Sequence, residues 1–274
     1  EKINKDIAIA CQALGLGMGV GSQRAMIEDE SLTHTYFVRD VAPDIFLAAN
    51  IGAAQLEEYS VSEIQKAVDA IKADALAIHL NAAQEAVQKE GDTNFSNALS
   101  LIKKVSAKIR QPVYVKEVGN GITFESAKML SKTGVKAIDV QGAGGTTWVG
   151  VESFRGNKEL GETFWDIGIP TTISVMETRK AFKGTIIASG GIRTGLDAAK
   201  CIILGADMAS MAYPVLKAQI AAGSSGVKRF LENIIEETRV AMFLSGAKNI
   251  AELKKKKFVL KGKTLEWARQ RKLV

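Results

Sequence analysis

Residues 188–200, ASGGIRTGLDAAK, decide the fold, because they run from an apolar strand through a Gly-Gly turn into an amphipathic helix. Two glycines let backbone amides approach an anion, and the first turn of the following helix carries about half a positive charge. The next apolar run leads into MAYPVLKA (211–218), a second strand-to-helix turn, and a separate loop, GAGGTT (142–147), is also glycine-rich. The stretch predicts a βα unit that binds a phosphate group; a tight turn without a ligand is the alternative interpretation.

The same unit repeats along the chain. Short apolar, β-branched runs alternate with stretches whose apolar residues recur at helical spacing, which is the rhythm of βα repeats. Ser62 and Thr123 are the residues expected to cap two of the helices. The predicted strands cover residues 14–21, 45–51, 75–81, 112–118, 137–142, 185–191 and 208–214, and the clearest helices cover 61–73, 124–133 and 196–204.

The strand runs lack apolar–polar alternation, which indicates strands buried on both faces of a parallel sheet. Seven strands suit a doubly wound sheet, whereas a closed (β/α)8 TIM barrel needs eight. We predict the barrel, with its first strand lying before Glu1. We expect residues 1–274 to form a single domain that includes a basic, helical C-terminal extension, residues 253–274.

Composition and charge exclude several classes of protein. The chain has 274 residues with 46% hydrophobic residues, and no apolar run is long enough to cross a membrane. Two cysteines are too few for a disulfide scaffold. The net charge is +6, but residues 253–274 hold nine Lys and Arg against one Glu, so the remaining 252 residues carry −2. This distribution and the 6% aromatic content disfavour a nucleic-acid partner. No signal peptide is evident, so we expect a cytoplasmic location.

The segment HLNAAQEAVQKEGD (79–92) carries the first group of candidate site residues. His79 and Asn81 are two residues apart on a strand and therefore point to the same side. Gln84 and Glu85 follow where the chain leaves that strand. A neutral imidazole, an amide and a carboxylate are suited to orienting a diphosphate together with Mg²⁺, which prefers oxygen ligands.

Three further charged residues are candidates at strand ends. Arg24 follows a strand and offers the fork geometry that binds phosphate oxygens. Lys116 lies within the apolar strand PVYVKEV, where a lysine is costly unless it meets an anion or an acceptor. Glu152 follows GTTWVGV and could point into the same site. Cys11 and Cys201 fall on predicted helices, which argues against a cysteine nucleophile.

Six segments, in order, give the chain a family resemblance. GMGVGSQRA, FLAANIGAAQL, HLNAAQEAVQKEGD, VKEVGNGI, DVQGAGGTTW and ASGGIRTGLDAAK together resemble type 2 isopentenyl diphosphate isomerase over nearly the whole chain. The resemblance implies an FMN-dependent TIM barrel that interconverts isopentenyl and dimethylallyl diphosphate with Mg²⁺. It also implies reduced FMN without net redox, NADPH as the reductant, and a homotetramer or homo-octamer.

The resemblance assigns roles to individual residues. Gln84, Lys116 and Glu152 are the expected catalytic residues, with Gln84 against the substrate hydrocarbon and Glu152 near the reacting carbon. Glu85 is the expected Mg²⁺ ligand. Gln141 stands where the family has Ser. The diphosphate would contact Arg24, His79 and Asn81; FMN would contact Ser22, Asn50, Lys116 and Thr146; and the FMN phosphate would contact Gly191, Ile192, Arg193, Ala212 and Tyr213.

Two other functions stay open at this point. The first is an FMN barrel that performs net redox, such as a hydroxy-acid oxidase; such relatives need a His-Arg pair or a loop cysteine at strand ends, and none is evident in this sequence. The second is a flavin- or phosphate-binding barrel without catalytic activity. Stoichiometric NADPH consumption would identify the former, and flavin binding without isomerisation would identify the latter.

Overall fold

The computed structural model describes residues 1–156 and 158–274. Within these residues a seven-stranded parallel sheet forms, and each strand pairs with its neighbours in chain order. Each of the seven predicted strand runs contains one observed strand, and the curled parallel sheet with its helices is TIM-barrel-like. The strands are β1 (Met18–Gly19), β2 (Leu47–Gly52), β3 (Ala75–His79), β4 (Val113–Lys116), β5 (Ala137–Asp139), β6 (Thr185–Ala188) and β7 (Met208–Ala209).

Helices connect the strands as βα repeats require. Short 3-10 helices cover Glu30–Thr35 and Ala54–Leu56. The longest helix is interrupted at Ala222 and Gly223, whose backbone angles are not helical. The α-helices are α1 (Lys2–Leu14), α2 (Arg24–Glu28), α3 (Val61–Ala70), α4 (Ala82–Val87), α5 (Ala98–Lys108), α6 (Phe124–Leu130), α7 (Trp148–Arg155), α8 (Lys158–Thr163), α9 (Thr171–Ala181), α10 (Gly195–Ile203), α11 (Tyr213–Leu244), α12 (Ile250–Leu253) and α13 (Gly262–Gln270).

Several predicted boundaries are wrong, and most observed strands are shorter than predicted. The strand predicted over 208–214 ends at Ala209, because α11 already begins at Tyr213. The strand expected from Leu14 starts only at Met18, because α1 extends through Leu14 and ends at Gly15 with φ +64°. Ser62 does not cap α3; Ser60 does, since its hydroxyl accepts the Glu63 amide and the Glu63 carboxylate accepts the Ser60 amide. Thr123 is confirmed as the cap of α6.

The core lies inside the sheet and between the sheet and its helices. Every residue of β2 and β3 is buried, as expected for strands covered on both faces. Among the described residues, no helix combines the length and apolar composition that crossing a bilayer requires. At the open side of the sheet, α1 packs against α11, and Gln219 donates to Asp6 at 2.9 Å. An eighth strand stays a prediction.

The basic C-terminal segment packs against acidic side chains of the sheet and its helices. Lys254 forms an ion pair with Asp207 at the start of β7. Arg271 forms ion pairs with Glu177 of α9 at 3.0 Å and Glu125 of α6 at 2.6 Å. The positive charge of residues 253–274 is therefore partly neutralised within the chain.

Candidate active site

Polar side chains occupy one level of the sheet at the carboxyl ends of its central strands. His79 is in register with Gly52 of β2 on one side and with Lys116 of β4 on the other. Lys116 is in register with Asp139 of β5. Residues in register on adjacent strands point the same way. The three ionisable side chains therefore form a row across the end of the sheet where (β/α)8 enzymes place their active sites.

His79 is held as a neutral imidazole at one end of this row. Its Nδ1 lies 2.9 Å from Asn50 Oδ1, and the Asn50 amide donates to the Val20 carbonyl at 3.0 Å, which makes Oδ1 the acceptor. Burial and the positive charge of Lys116 lower the pKa of His79 from 6.5 to about 3. At neutral pH the side chain can therefore serve as a hydrogen-bonding group but not as a cation.

Lys116 and Asp139 form the other part of the row. Partly buried Lys116 donates from Nζ to the Glu117 carbonyl at 3.0 Å. Its burial lowers the Lys116 pKa, while Asp139 and Glu117 oppose the shift. Asp139 is buried and accepts a hydrogen bond from Ser189, and burial raises its pKa. An ammonium with spare donors at a strand end provides a site for an anion or an electron-rich ring.

The residues of the HLNAAQE segment form a second cluster around α4. Asn81 donates to Glu85 Oε1 at 2.6 Å, and Gln84 donates to Glu152 Oε1 of α7 at 3.0 Å. Asn81 Oδ1 is buried and has no partner among the described residues. The structure thus brings four predicted site residues together and leaves one buried oxygen that a ligand can satisfy.

Glu85 is the only predicted metal ligand. The described residues contain no group of three or more His, Cys, Asp or Glu side chains arranged to hold a metal. The Glu85 carboxylate accepts hydrogen bonds from Asn81 and from the Asp92 amide at 2.9 Å, which leaves lone pairs free on both oxygens. One carboxylate of this kind suits Mg²⁺, which commonly completes its coordination with water and substrate phosphates.

Glycines of the loops that follow β5 and β6 pack closely together at the predicted phosphate site. Gly190 and Gly191 have φ of +98° and +78°, and a Cβ on Gly190 would lie 2.0 Å from the Gly142 carbonyl oxygen. No acceptor is present in residues 1–156 and 158–274 for the backbone N–H of Gly191, Ile192 or Ala212. These amides precede α10 or α11. Free amides at two neighbouring helix starts fit the phosphate of a cofactor such as FMN.

Several of the predicted contact residues are solvent-exposed. Arg24 is paired with Glu28 at 2.9 Å on α2 and its side chain is 52% exposed. Ser22 and Thr146 lie in exposed loops after β1 and β5, and Tyr213 is 56% exposed. Arg193 is exposed too, but its guanidinium donates to the carbonyls of Gly191 and Gly144. Their roles toward FMN or substrate stay predictions.

Two site residues were not predicted from the sequence. Asp139 is an acid within an apolar strand, so the argument that singled out Lys116 applies equally to it. Glu117 follows Lys116 directly and accepts hydrogen bonds from three backbone amides. Cys11 and Cys201 lie on helices as predicted: both are buried, on α1 and α10, and burial raises the pKa of each thiol to about 11.

Comparisons with known proteins identify the family of the chain. Residues 42–260 match the family described as FMN-dependent dehydrogenase. The isopentenyl-diphosphate delta-isomerase of Thermococcus onnurineus is 48% identical over 98% of this chain and 75% of that protein. The protein of the same name from Methanosarcina barkeri is 47% identical over the same shares. The chain belongs to the isopentenyl-diphosphate delta-isomerase family.

The isopentenyl-diphosphate delta-isomerase resemblance found in the sequence is therefore confirmed. Solved structures support the fold alone. A mandelate oxidase with 3,3-difluoro-2-hydroxy-3-phenylpropionic acid superposes with a TM-score of 0.67 at 19% identity, over 94% of this chain and 74% of that one. The GMP reductase of Trypanosoma brucei gives a TM-score of 0.58 at 20% identity, over 80% of this chain and 47% of that one.

Proposed function

We propose that the chain interconverts isopentenyl and dimethylallyl diphosphate, with reduced FMN and Mg²⁺ and without net redox. Membership of the isomerase family carries the proposal. The row of His79, Lys116 and Asp139 at the strand ends supports it, because these groups lie where a barrel enzyme holds its reactants. NADPH would be the source of the electrons that reduce the flavin.

Two separate groups of residues would bind the cofactor and the substrate. The free amides before α10 and α11 would hold the FMN phosphate, with the ring extending toward Asn50 and Lys116. Arg24, His79 and Asn81 would hold the substrate diphosphate, with Mg²⁺ on Glu85. Contacts to the diphosphate supply binding energy far from the double bond and so position the hydrocarbon.

The isomerisation adds a proton to the terminal carbon of the double bond. It removes a proton from the carbon next to the other alkene carbon, so that the double bond moves by one position. Bound reduced FMN supplies an electron-rich, proton-carrying ring beside the substrate. Lys116 would stabilise negative charge at the ring, and its lowered pKa follows from the same desolvation. Glu152 is 3% exposed and accepts hydrogen bonds from Gln84 at 3.0 Å and from Arg155 at 3.3 Å, so a shielded, ion-paired carboxylate would lie near the hydrocarbon.

An anaerobic assay tests the proposal. Purified protein would be supplied with FMN, dithionite or NADPH, Mg²⁺ and isopentenyl diphosphate, and dimethylallyl diphosphate would be followed by NMR. We expect turnover that requires reduced flavin but consumes no reductant per product. Stoichiometric NADPH oxidation would instead indicate a net redox enzyme, and flavin binding without product would indicate a non-catalytic barrel.

Assembly and location belong to the same proposal. The chain would act as a homotetramer or homo-octamer in the cytoplasm, on a small anionic substrate and without a nucleic-acid partner. Light scattering coupled to gel filtration, run with and without FMN, measures the assembly directly. A monomer under both conditions would refute this part of the proposal and leave the isomerase activity to its own test.

A further inference from the structure

Glu117 holds the loop that follows β4 through a single carboxylate oxygen. Its Oε2 accepts the backbone N–H groups of Val118 at 2.7 Å, Gly119 at 3.1 Å and Asn120 at 2.8 Å. Three successive amides that converge in this way form a concave site for an anion. Here the chain fills that site with its own carboxylate, which is 7% exposed.

The same loop contacts the glycine-rich loop that follows β5. Gly119 has φ +145°, and a Cβ there would lie 2.8 Å from the Thr146 carbonyl oxygen. The Gly121 amide donates to the Gln141 carbonyl at 3.1 Å. The backbone course that Glu117 imposes on residues 118–121 therefore sets where residues 141–146 lie relative to β4.

Asn120 connects the 118–121 loop to the segment between β5 and α9 by hydrogen bonds. Its side-chain amide donates to the Ile167 carbonyl at 2.7 Å, and its own carbonyl accepts the Ile169 amide at 2.8 Å. That segment carries α7 and hence Glu152. The Lys116 side chain also contacts Glu117, because its Nζ donates a hydrogen bond to the Glu117 backbone carbonyl.

We propose that Glu117 is a positioning residue that fixes Lys116, Thr146 and Glu152 relative to one another by anchoring the 118–121 loop. The inference rests on the proposed function, which gives those three residues their roles. Glu117 itself touches neither the reacting atoms nor the diphosphate residues at the ends of β1 and β3. Its loss should therefore impair FMN binding and turnover more than it impairs substrate binding.

The chemistry of the anchor requires a charged oxygen of the right reach. Hydrogen bonds from N–H to a carboxylate are roughly twice as strong as those to a neutral carbonyl. Glutamine keeps the length and loses the charge, whereas aspartate keeps the charge and is shorter by one methylene. Burial raises the pKa of Glu117 to about 7, against the effect of the three amides and Lys116, so measurements belong at pH 8.

Hydrogen exchange on the wild-type protein is the first part of the test. At pH 8 and without FMN, the amides of Val118, Gly119 and Asn120 should exchange at least about 100-fold more slowly than in an unstructured peptide. Exchange of these three amides at the unstructured rate would overturn the inference, whatever the variants do.

Glu117→Gln and Glu117→Asp are the second part, with Glu236→Gln, an exposed position on α11, as the matched control. Both Glu117 variants should exchange these amides at least about tenfold faster and bind FMN about tenfold more weakly, with kcat reduced about tenfold and KM for the diphosphate within about twofold. Wild-type FMN affinity and kcat in a folded Glu117→Gln would refute the inference. Absence of FMN binding or turnover in the wild type would refute the proposed function instead. The hydrogen-exchange result would still show whether Glu117 anchors the 118–121 loop.

Discussion

Lys116 shows how one side chain links the fold to the proposed chemistry. It lies at the end of β4, between neutral His79 and buried Asp139. Within the described residues its ammonium donates a hydrogen bond to the Glu117 carbonyl and keeps further N–H donors for a ligand. Desolvation lowers its pKa while the charges of Asp139 and Glu117 oppose the shift, so burial of the ammonium carries a cost that a bound anion would reduce. A cost of this kind is typical of functional rather than structural lysines.

Replacement of Lys116 by alanine should abolish turnover and weaken FMN binding by about tenfold or more, because the charge beside the flavin is lost. FMN titration by fluorescence and the anaerobic NMR assay measure the two effects. Lys103→Ala, at an exposed position on α5, is the control and should match the wild type. Wild-type turnover with bound FMN in Lys116→Ala would contradict the proposed role.

Glu85→Ala should raise the Mg²⁺ concentration needed for half-maximal activity by about tenfold or more, since the only predicted protein ligand for the ion is removed. The measurement is a Mg²⁺ titration of turnover at saturating FMN. Glu236→Ala serves as the control for loss of one negative charge. A titration curve identical to that of the wild type would exclude Glu85 as the ligand.

His79 should make the fold sensitive to acid. In the folded chain its pKa of about 3 lies below the ordinary 6.5. Between these pH values the His79 imidazole is therefore protonated in the unfolded chain but neutral in the folded chain. This stabilising contribution is complete above pH 6.5 and is lost as pH falls toward 3. At pH 4.5 the loss amounts to about 2 to 3 kcal/mol.

Urea unfolding of the wild type and His79→Asn between pH 7 and pH 4.5 measures this contribution. The wild type should lose about 2 kcal/mol more than the variant over this range. Glu117 acts in the opposite direction, since its raised pKa of about 7 favours the folded state at low pH, but it is common to both proteins. Equal losses would contradict the assignment, and His34→Asn on the exposed 3-10 helix controls for the loss of a histidine.

The helices and strands were largely predictable because each βα unit carries its own signals. Apolar runs without alternation marked the strands, and Thr123 marked the start of α6 correctly. The misplaced boundaries have local causes that the apolar pattern does not contain: Gly15 ends α1 three residues before β1, and a capping box selects Ser60 over the nearby Ser62. Asp139 was predictable by the argument used for Lys116, whereas its partner Ser189, 50 residues away, was not.

Gly190 tests the strand-to-helix turn that decides the fold. Alanine there would meet the Gly142 carbonyl oxygen at 2.0 Å and would adopt φ +98°, so Gly190→Ala should destabilise the protein by about 3 kcal/mol or more and reduce FMN affinity. Gly262→Ala is the matched control, because its φ is +56° with no atom within 4 Å of the added Cβ. We expect the control to cost about 1 kcal/mol and to leave FMN affinity unchanged. Similar urea midpoints for the two variants would refute the close-packed cradle.

At the scale of the whole molecule, the sequence predicted the repeat but not how distant segments meet. The spacing of strands and glycines was sufficient for a parallel, barrel-like sheet with polar residues at its carboxyl ends. The hydrogen bond between Gln84 and Glu152 joins residues 68 positions apart, and no local pattern specifies it. The sequence predicted a basic, helical C-terminal extension but not its contacts: its charges pair with acidic residues on α6, on α9 and immediately before β7.

The C-terminal segment should therefore contribute to stability through Arg271. Glu177 is 1% exposed and accepts hydrogen bonds from Arg271 and Trp267 on one side and from the Phe124 amide, at the start of α6, on the other. Arg271→Met leaves this buried carboxylate without its cation, so thermal unfolding should occur several degrees lower and the Phe124 amide should exchange faster. Arg269→Met removes an exposed charge two residues earlier, on α13, and should leave both measurements unchanged. If the two variants unfold at the same temperature as the wild type, residues 253–274 do not stabilise the fold through this ion pair.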